Sequence, residues 1–238
     1  MVMAGGAVAA TCSELAERAK RIGAKLLQLD PSSVVLRDGR VSGPNSSIGL
    51  AEIAHTWYRR PQDLPADVDP GGLELTGGYK PRRDSGTFSY AVHAVTVAVD
   101  PDLGDVGILD YVIVEDGGVL FNPMIVDGQI FGGLAQGIGT ALYEEMPFDS
   151  AGQPLATTLA DYLLPGSTEV PAIRIAHIET PSPYSRFGQK GIGEGGAIAP
   201  PAAIANAVND ALRPLGVELT ESPLTPRRIV EALMKTKA

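Results

Sequence analysis

The part of this sequence best suited to chemistry is a single carboxylate set among glycines. The segment Gln189-Lys190-Gly191-Ile192-Gly193-Glu194-Gly195-Gly196 precedes the helix-like run Ala202 to Leu212. Glycine permits positive φ and lets a bulky group approach the main chain without a Cβ in the way. We therefore predict that this turn presses its backbone against a ligand and holds Glu194 there. The spacing alone leaves a plainer alternative, in which the glutamate only places a favourable charge near a helix N-terminus.

A second glycine-rich stretch begins at Asn122. Asn as the N-cap and Pro123 at the first helical position predict a helix that runs to Glu145. Each glycine inside a helix costs roughly 0.8 to 1 kcal/mol relative to alanine. The helix must therefore gain either tight packing or a ligand lying against its backbone. The glycines concerned are Gly128, Gly132, Gly133, Gly137 and Gly139. The amide of Gln136 both donates and accepts, which suits a heteroaromatic edge, although packing is the alternative.

The elements that position these segments alternate without a regular βαβ rhythm, which indicates an α+β fold. Hydrophobic periodicity and turn residues predict helices and strands along the whole chain. The predicted helices are Ala7 to Leu29, Ser47 to Tyr58, Ala202 to Leu212, and a last one from Thr225-Pro226 to Lys235. The predicted strands are a hairpin over 34–41 that turns at Asp38-Gly39, the antiparallel pair Phe88 to Asp100 and Val106 to Glu115, and the strands Ile173 to Ile178 and Val217 to Thr220.

Two histidines and one long loop complete this interpretation. His93 is interpreted as a core residue, because no second His or Cys stands at metal-ligand spacing. His177 is expected to be exposed at the end of its strand. Residues 61–85 are rich in Pro, Gly, Asp and Arg, so we predict a loop excursion there. The strand pattern resumes immediately afterwards, and the chain is treated as one region, 1–238, without an internal boundary.

Composition excludes several classes of protein. A net charge of -9 without clustered Lys and Arg argues against nucleic-acid binding. The single cysteine, Cys12, excludes an internal disulfide and a cysteine-ligated iron-sulfur cluster within this chain. The start MVMAGGAVAA lacks the basic region of a signal peptide and is too short to span a membrane, so a cytoplasmic location is expected. An apolar run at residue 1 suggests one piece of a larger assembly whose other part precedes Met1; a disordered tail is the alternative.

Two motifs carry a family resemblance. The runs NPMIVDGQIFGGLAQGIGTALYEE and QKGIGEGGAIAPPAAIANAVNDAL, at matching separation, resemble the molybdenum hydroxylases, the family of xanthine dehydrogenase, aldehyde oxidase and aerobic carbon monoxide dehydrogenase. The similarity is to the carboxy-terminal part of their molybdopterin-binding large subunit and extends from Met1 to about Leu233. It implies half of a molybdopterin-binding domain, with mixed strands and packed helices, and a molybdenum-pterin cofactor as molybdopterin or its cytosine dinucleotide form.

The resemblance also implies residue roles. Glu194 takes the place of the active-site base, and Gln136 that of the glutamine that hydrogen-bonds the pterin. Met1 and Val2 are expected to line the cofactor, and no residue is assigned as a metal ligand. The remaining residues expected to contact the cofactor are Gly137, Lys190, Gly191, Ile192 and Gly193.

Two positions depart from the family pattern. The family often has Asp-Cys-Gly where this chain has Asp116-Gly117-Gly118, and His where it has Phe131. Neither position carries the expected base. Both leave the identity of the substrate open.

The implied activity is oxidation of a carbon centre in an aldehyde or N-heterocycle, with water as the oxygen source and Glu194 as the base. Electrons would leave through iron-sulfur and flavin groups, which are expected on partner subunits. A second molybdopterin-binding polypeptide is the other expected partner, and a small molecule is the substrate. The alternatives are a non-catalytic structural half-subunit that completes the fold of a partner chain, and a fragment of a longer gene product.

Overall fold

The computed structural model describes residues 1–68, 73–81, 83 and 87–236 and has the predicted α+β composition. The chain divides into two compact units, Met1–Arg82 and Arg83–Ala238. This division falls within the predicted loop excursion, which begins with a short 3-10 turn, Pro61–Asp63. Residues 69–72, 82, 84 and 85 of the excursion, and residue 86 directly after it, lie outside the described residues.

The first unit packs two helices on a small antiparallel sheet. Helix α1 spans Val2–Leu26 and α2 spans Leu50–Arg59; the strands are β1 Val35–Arg37, β2 Arg40–Ser42 and β3 Ser47–Gly49. The predicted hairpin turn is confirmed, with positive φ at Asp38 and Gly39. The helix predicted from Ser47 begins three residues later, because Ser47–Gly49 pairs with β2 as a third strand. Among the described helices, none is both long and apolar enough to cross a membrane.

The second unit is built on a three-stranded mixed sheet. Its strands are β4 Tyr90–Val99, β5 Val106–Asp116 and β6 Ile173–His177. The central strand β5 is antiparallel to β4, as predicted, and parallel to β6. Its fully buried side chains, Tyr111 and Ile113, belong to the core that the helices of this unit share. The register places Glu115 beside His177.

Three helices complete the core of the second unit. They are α3 Pro123–Ile138, α4 Pro200–Leu212 and α5 Pro226–Thr236, and they contribute buried Ile130, Leu134, Ile204, Val208 and Ile229. The predicted cap is confirmed, since Oδ1 of Asn122 accepts a hydrogen bond from the backbone N–H of Ile125. Helix α3 ends at Ile138 and continues as a π-helical turn, Gly139–Tyr143, rather than as α-helix to Glu145.

The strand predicted over Val217 to Thr220 is wrong. The segment forms no ladder with another described strand. The side chain of Asn209 replaces a strand partner, because it accepts from Leu219 N at 2.7 Å and donates to Leu219 O at 2.9 Å. The side-chain amide of Asn209 therefore satisfies the N–H and C=O groups of Leu219, which a neighbouring strand would otherwise pair.

The glycines of α3 serve two different ends. A Cβ at Gly133 would lie 2.9 Å from the backbone N of Ala197, and one at Gly137 would lie 2.6 Å from Cβ of Pro200. Both glycines therefore let the helix approach the segment that carries Glu194. A Cβ at Gly128 or Gly132 would meet nothing within 4 Å. Packing by the described residues explains the first pair and leaves the second pair on an open helix face.

We expect alanine to have opposite effects at adjacent positions of α3. Gly133→Ala should lower the free energy of unfolding by about 1 to 3 kcal/mol, because the backbone of the neighbouring turn must move. Gly132→Ala should raise it by about 1 kcal/mol, because alanine loses less conformational freedom in a helix. Urea unfolding of the full chain measures both values. Equal losses in the two variants would contradict the packing described here.

Candidate active site

The turn that carries Glu194 is fixed at two places by main-chain hydrogen bonds. Lys190 N donates to Gly117 O at 2.8 Å, just beyond the end of β5. Gly191 N donates to Thr87 O at 2.9 Å, just before β4 begins. The turn is therefore held against both long strands of the sheet. Loops that carry reactive groups are often positioned by such a rigid scaffold.

Glycine is required where this turn meets its neighbours. Gly118 has φ +66°, and a Cβ there would lie 2.3 Å from Gly188 O. A Cβ on Gly196 would lie 2.5 Å from Ile130 O, on α3. A side chain at either position would collide with backbone, which cannot move aside as a side chain can. The Asp116-Gly117-Gly118 sequence thus provides the close approach that the turn needs.

The turn borders a cavity of about 470 Å³. Its lining includes backbone from the turn, apolar side chains and two carboxylates. The carboxylates are those of Glu194, which is exposed, and Glu115, which is only 2% exposed. Other lining residues are Tyr90, Gly191, Gly193 and Ile198. An acid beside accessible backbone and apolar surface can accept a proton from a molecule bound there.

Lys190 is directed at a buried acid. Its Nζ lies 3.2 Å from Oδ1 of Asp116, donates to Oγ1 of Thr180 at 2.7 Å, and lies 5.0 Å from the centre of the Tyr90 ring. Asp116 is fully buried. Burial by itself raises the pKa of Asp116, but hydrogen bonds from the Thr180 hydroxyl and Gly118 N–H outweigh it and hold that pKa well below its ordinary value. The Lys190 side chain thus anchors the turn from within the protein.

A second acid follows a different pattern. Nδ1 of His177 lies 3.2 Å from Oε1 of Glu115, and Nε2 of His177 lies 2.8 Å from Oδ1 of Asp127. Burial raises the pKa of Glu115, and the neighbouring His177 partly opposes that rise. The expectation of an exposed His177 is wrong, because contacts with acids from β5 and α3 leave its side chain 21% exposed.

His93 lies in the sheet, as expected of a packing residue. Its Nδ1 is 3.1 Å from the Tyr111 hydroxyl, and the two rings meet edge to face with centres 5.7 Å apart. Burial lowers its pKa, and the backbone of Gly195 beside the ring partly opposes that shift. His93 therefore supports the turn from β4.

Sequence reasoning missed the acids behind the turn. Glu115 is predicted only as the last residue of a strand and Asp116 only as part of the Asp116-Gly117-Gly118 sequence, and no role is predicted for Asp127 or Thr180. One signal was present, since two consecutive acids end a strand of buried residues and immediately precede two glycines. Acids in such a place are rarely buried without partners. Their partners lie far along the chain and cannot be read from local sequence, since His177 is 62 residues from Glu115 and Thr180 is 64 residues from Asp116.

Gln136 lies on α3 outside the lining of this cavity. It is exposed, and the side-chain hydrogen bond found at this residue in the described ranges reaches its backbone oxygen, from Thr140 Oγ1, and not its amide. Gln129, two helical turns earlier on the same face and about 10 Å away along the axis, donates from Nε2 to Gly193 O at 3.4 Å. Gly132 lies between them on the open face. Gly137, by contrast, is buried against Pro200.

The structure therefore brings together five predicted residues on one turn, Glu194, Lys190, Gly191, Ile192 and Gly193, and places Gln136 on the adjoining helix. This donor set fits a pterin, because a free amide and an open glycine face suit a flat heterocycle that offers both donors and acceptors. The described residues contain no cluster of three or more His, Cys, Asp or Glu able to hold a metal ion.

Comparisons with known proteins identify the family of this chain. Residues 1–171 match the family model of the molybdopterin cofactor-binding domain. The chain is 40% identical over 234 residues to the nicotine 6-hydroxylase large subunit of Paenarthrobacter nicotinovorans, covering 97% of this chain and 28% of that protein. It is 32% identical to the carbon monoxide dehydrogenase large chain of Hydrogenophaga pseudoflava, with the same two shares. The chain thus spans less than a third of the length of these relatives.

Solved structures share the fold. Quinoline 2-oxidoreductase from Pseudomonas putida 86 superposes with a TM-score of 0.80 at 39% identity, covering 94% of this chain and 28% of the other. The Cu,Mo-CO dehydrogenase superposes with a TM-score of 0.82 at 26% identity, covering 98% and 29%. The chain belongs to the molybdopterin cofactor-binding domain family, and it is similar to part of the large subunits of molybdenum-dependent oxidoreductases.

Proposed function

We propose that this chain supplies the general base and part of the pterin-binding surface of a molybdenum-dependent oxidoreductase. The observation that carries the proposal is Glu194 on an anchored glycine turn beside a cavity of about 470 Å³. The proposed reaction oxidises a carbon centre with water as the source of oxygen. When bound, the molybdenum-pterin cofactor supplies the two-electron acceptor for that oxidation.

The roles of the protein residues follow from their positions. A carboxylate oxygen of Glu194 accepts a proton within the cavity and so raises the nucleophilicity of the oxygen that loses it, an effect worth about 10²- to 10⁴-fold in rate. Gly191, Ile192 and Gly193 present backbone at the same cavity. The amide of Gln136 is assigned to the pterin. Lys190 acts indirectly, since its ammonium is bound to Asp116 and its backbone N–H holds the turn.

An N-heterocycle is the substrate class that we favour over an aldehyde. Two relatives are named for nicotine and quinoline, which both contain an aromatic nitrogen ring. The cavity wall carries exposed apolar side chains, among them Phe88, Tyr90 and Ile198. Such surface suits the faces of an aromatic ring, and the carboxylates supply the few polar groups that orient it.

Partner chains are part of the proposal. Relatives are named as a large subunit, a subunit gamma of a dehydrogenase complex and a large chain. We propose that a second molybdopterin-binding polypeptide, an iron-sulfur subunit and a flavin subunit complete the enzyme. The form of the pterin and the cytoplasmic location stay predictions.

The alternative function is that of a purely structural half-subunit, which completes the fold of a partner chain. It does not need an exposed acid on a glycine turn at a cavity.

The assignment of Gln136 is tested by cofactor retention. Gln136→Ala should weaken pterin binding about tenfold, as expected when one hydrogen bond of roughly 1.4 kcal/mol is lost. Asn206→Ala, which removes an exposed amide from α4 instead, serves as the control. Molybdenum and pterin are measured in each purified complex after dialysis. Equal cofactor content in both variants would remove Gln136 from the proposed surface.

A further inference from the structure

Glu115, His177 and Asp127 form a continuous path of contacts from the cavity to the surface of α3. Glu115 borders the cavity. Its Oε1 lies 3.2 Å from Nδ1 of His177, whose Nε2 lies 2.8 Å from Oδ1 of Asp127. The Asp127 side chain is 45% exposed. One end of the path thus opens into the cavity and the other into solvent.

The bonding of Glu115 differs from that of a structural acid. Its Oε1 and the facing Nδ1 of His177 are both buried, and neither makes a well-aligned hydrogen bond to a described residue. Buried polar atoms are nearly always hydrogen-bonded, and an exception calls for an explanation. The adjacent Asp116 has the ordinary arrangement, with bonds from Thr180 and Gly118. Oε1 of Glu115 and Nδ1 of His177 face one another at 3.2 Å, so a small rotation of either side chain aligns them for proton transfer.

The charged surroundings also favour proton exchange. Burial raises the pKa of Glu115, His177 lowers it, and the charges of Asp127 and Asp116 raise it again. The charge of Asp116 is offset by Lys190. The glycine turn packs closely on Glu115, since a Cβ added to Gly195 would lie only 3.2 Å from Oε2 of Glu115. His93, on β4, faces the backbone of the same glycine. The turn contributes Glu194 to the same cavity.

We propose that Glu115, His177 and Asp127 conduct to solvent the proton that Glu194 accepts, an inference that rests on the proposed function. Both glutamates border one cavity, which is large compared with the roughly 30 Å³ that a water molecule occupies in the liquid, so water can bridge them. The proton on Glu115 passes to Nδ1 of His177, the proton on Nε2 passes to Asp127, and Asp127 releases it to solvent. One proton enters and one leaves. His177 regains its first tautomer when its ring rotates about the Cβ–Cγ bond and presents Nδ1 to solvent. Nδ1 then loses its proton to water and Nε2 takes one up, so no proton returns to Glu115.

The first test does not depend on turnover. Infrared difference spectra of the assembled, oxidised complex are recorded as a function of pH, from below to above the ordinary glutamate pKa. The wild type should show the carbonyl band of a protonated carboxyl group that titrates with pH. Glu115→Gln should remove this band and His177→Gln should shift its midpoint. Asp110→Asn, which removes an exposed cross-strand acid from the same β5–β6 pair, should leave it unchanged. A titrating band that survives in Glu115→Gln would overturn the proposal.

The second test measures proton release during turnover. Glu115→Gln and His177→Gln should slow steady-state turnover about 10²-fold and raise its solvent isotope effect, with unchanged molybdenum content. Asp127→Asn should slow turnover less, because a water molecule at this exposed position can accept the proton from His177 in place of the Asp127 carboxylate. An unchanged isotope effect in both buried variants would also overturn the relay. If Glu115→Gln fails to assemble, His177→Gln decides.

Failure of the relay differs from failure of the proposed function. If Glu194→Gln is inactive while the buried variants behave like wild type, the base stands and the relay does not. If Glu194→Gln turns over normally, the proposed base is wrong, while the infrared band still decides whether Glu115 exchanges a proton with His177.

Discussion

Glu194→Gln is expected to reduce turnover by about 10²- to 10⁴-fold while molybdenum and pterin content stay at the wild-type level. Glutamine keeps the size and the hydrogen-bonding capacity of the side chain but cannot accept a proton at neutral pH. Glu194 lies on a turn whose fixed points are main-chain hydrogen bonds of Lys190 and Gly191. The substitution therefore removes the proton acceptor without removing a contact that holds the turn.

The matched control is Glu179→Gln. Glu179 is exposed, carries the same charge and does not border the cavity. Steady-state kinetics and metal analysis on the assembled complex compare the two variants. Near-normal activity of Glu194→Gln would show that this carboxylate is not the base. Loss of molybdenum from Glu194→Gln, with proportionate loss of activity, would instead assign the residue to cofactor retention.

Asp116→Asn is expected to cause the largest loss of stability, about 3 to 5 kcal/mol. The substitution leaves the ammonium of Lys190, whose side chain is 10% exposed, without its buried counter-charge. It also weakens the hydrogen bonds from Thr180 and Gly118. Asp110→Asn is the control on the same strand, where the exposed pair with Arg174 is worth about 1 kcal/mol or less. Denaturant unfolding of both variants and the wild type gives the comparison.

The effect of Asp116→Asn should depend on pH. The folded-state pKa of Asp116 is lowered, so its contribution is complete above the ordinary aspartate pKa and is lost as pH falls through the folded value. The stability gap between wild type and variant should thus be widest at neutral pH and narrow in acid. Lys190→Met in the Asp116→Asn background should recover part of the loss, because the unpaired charge is gone. A gap of the same size at neutral and acid pH would contradict this account.

Local chemistry explains why several elements were predictable. Asn122 caps α3 because its own side chain accepts the first hydrogen bond of the helix. Asp38-Gly39 turns the hairpin because these residue types tolerate positive φ. The glycine turn around Glu194 was predicted on the same ground. Errors arose where partners were distant. The pattern of residues 217–220 predicts a strand because nothing local indicates that the side chain of Asn209 binds this backbone.

The sequence by itself determined the α+β composition, the family resemblance and the one acid placed among glycines. Only the tertiary structure decided that Gly133 packs while Gly132 faces open space, since this depends on which face of α3 meets the turn. It also decided that Glu115 meets His177, because the parallel register of β5 and β6 joins residues that are far apart in the chain. Burial and electrostatic pairing arise from such nonlocal contacts, whereas turns and caps need only adjacent residues.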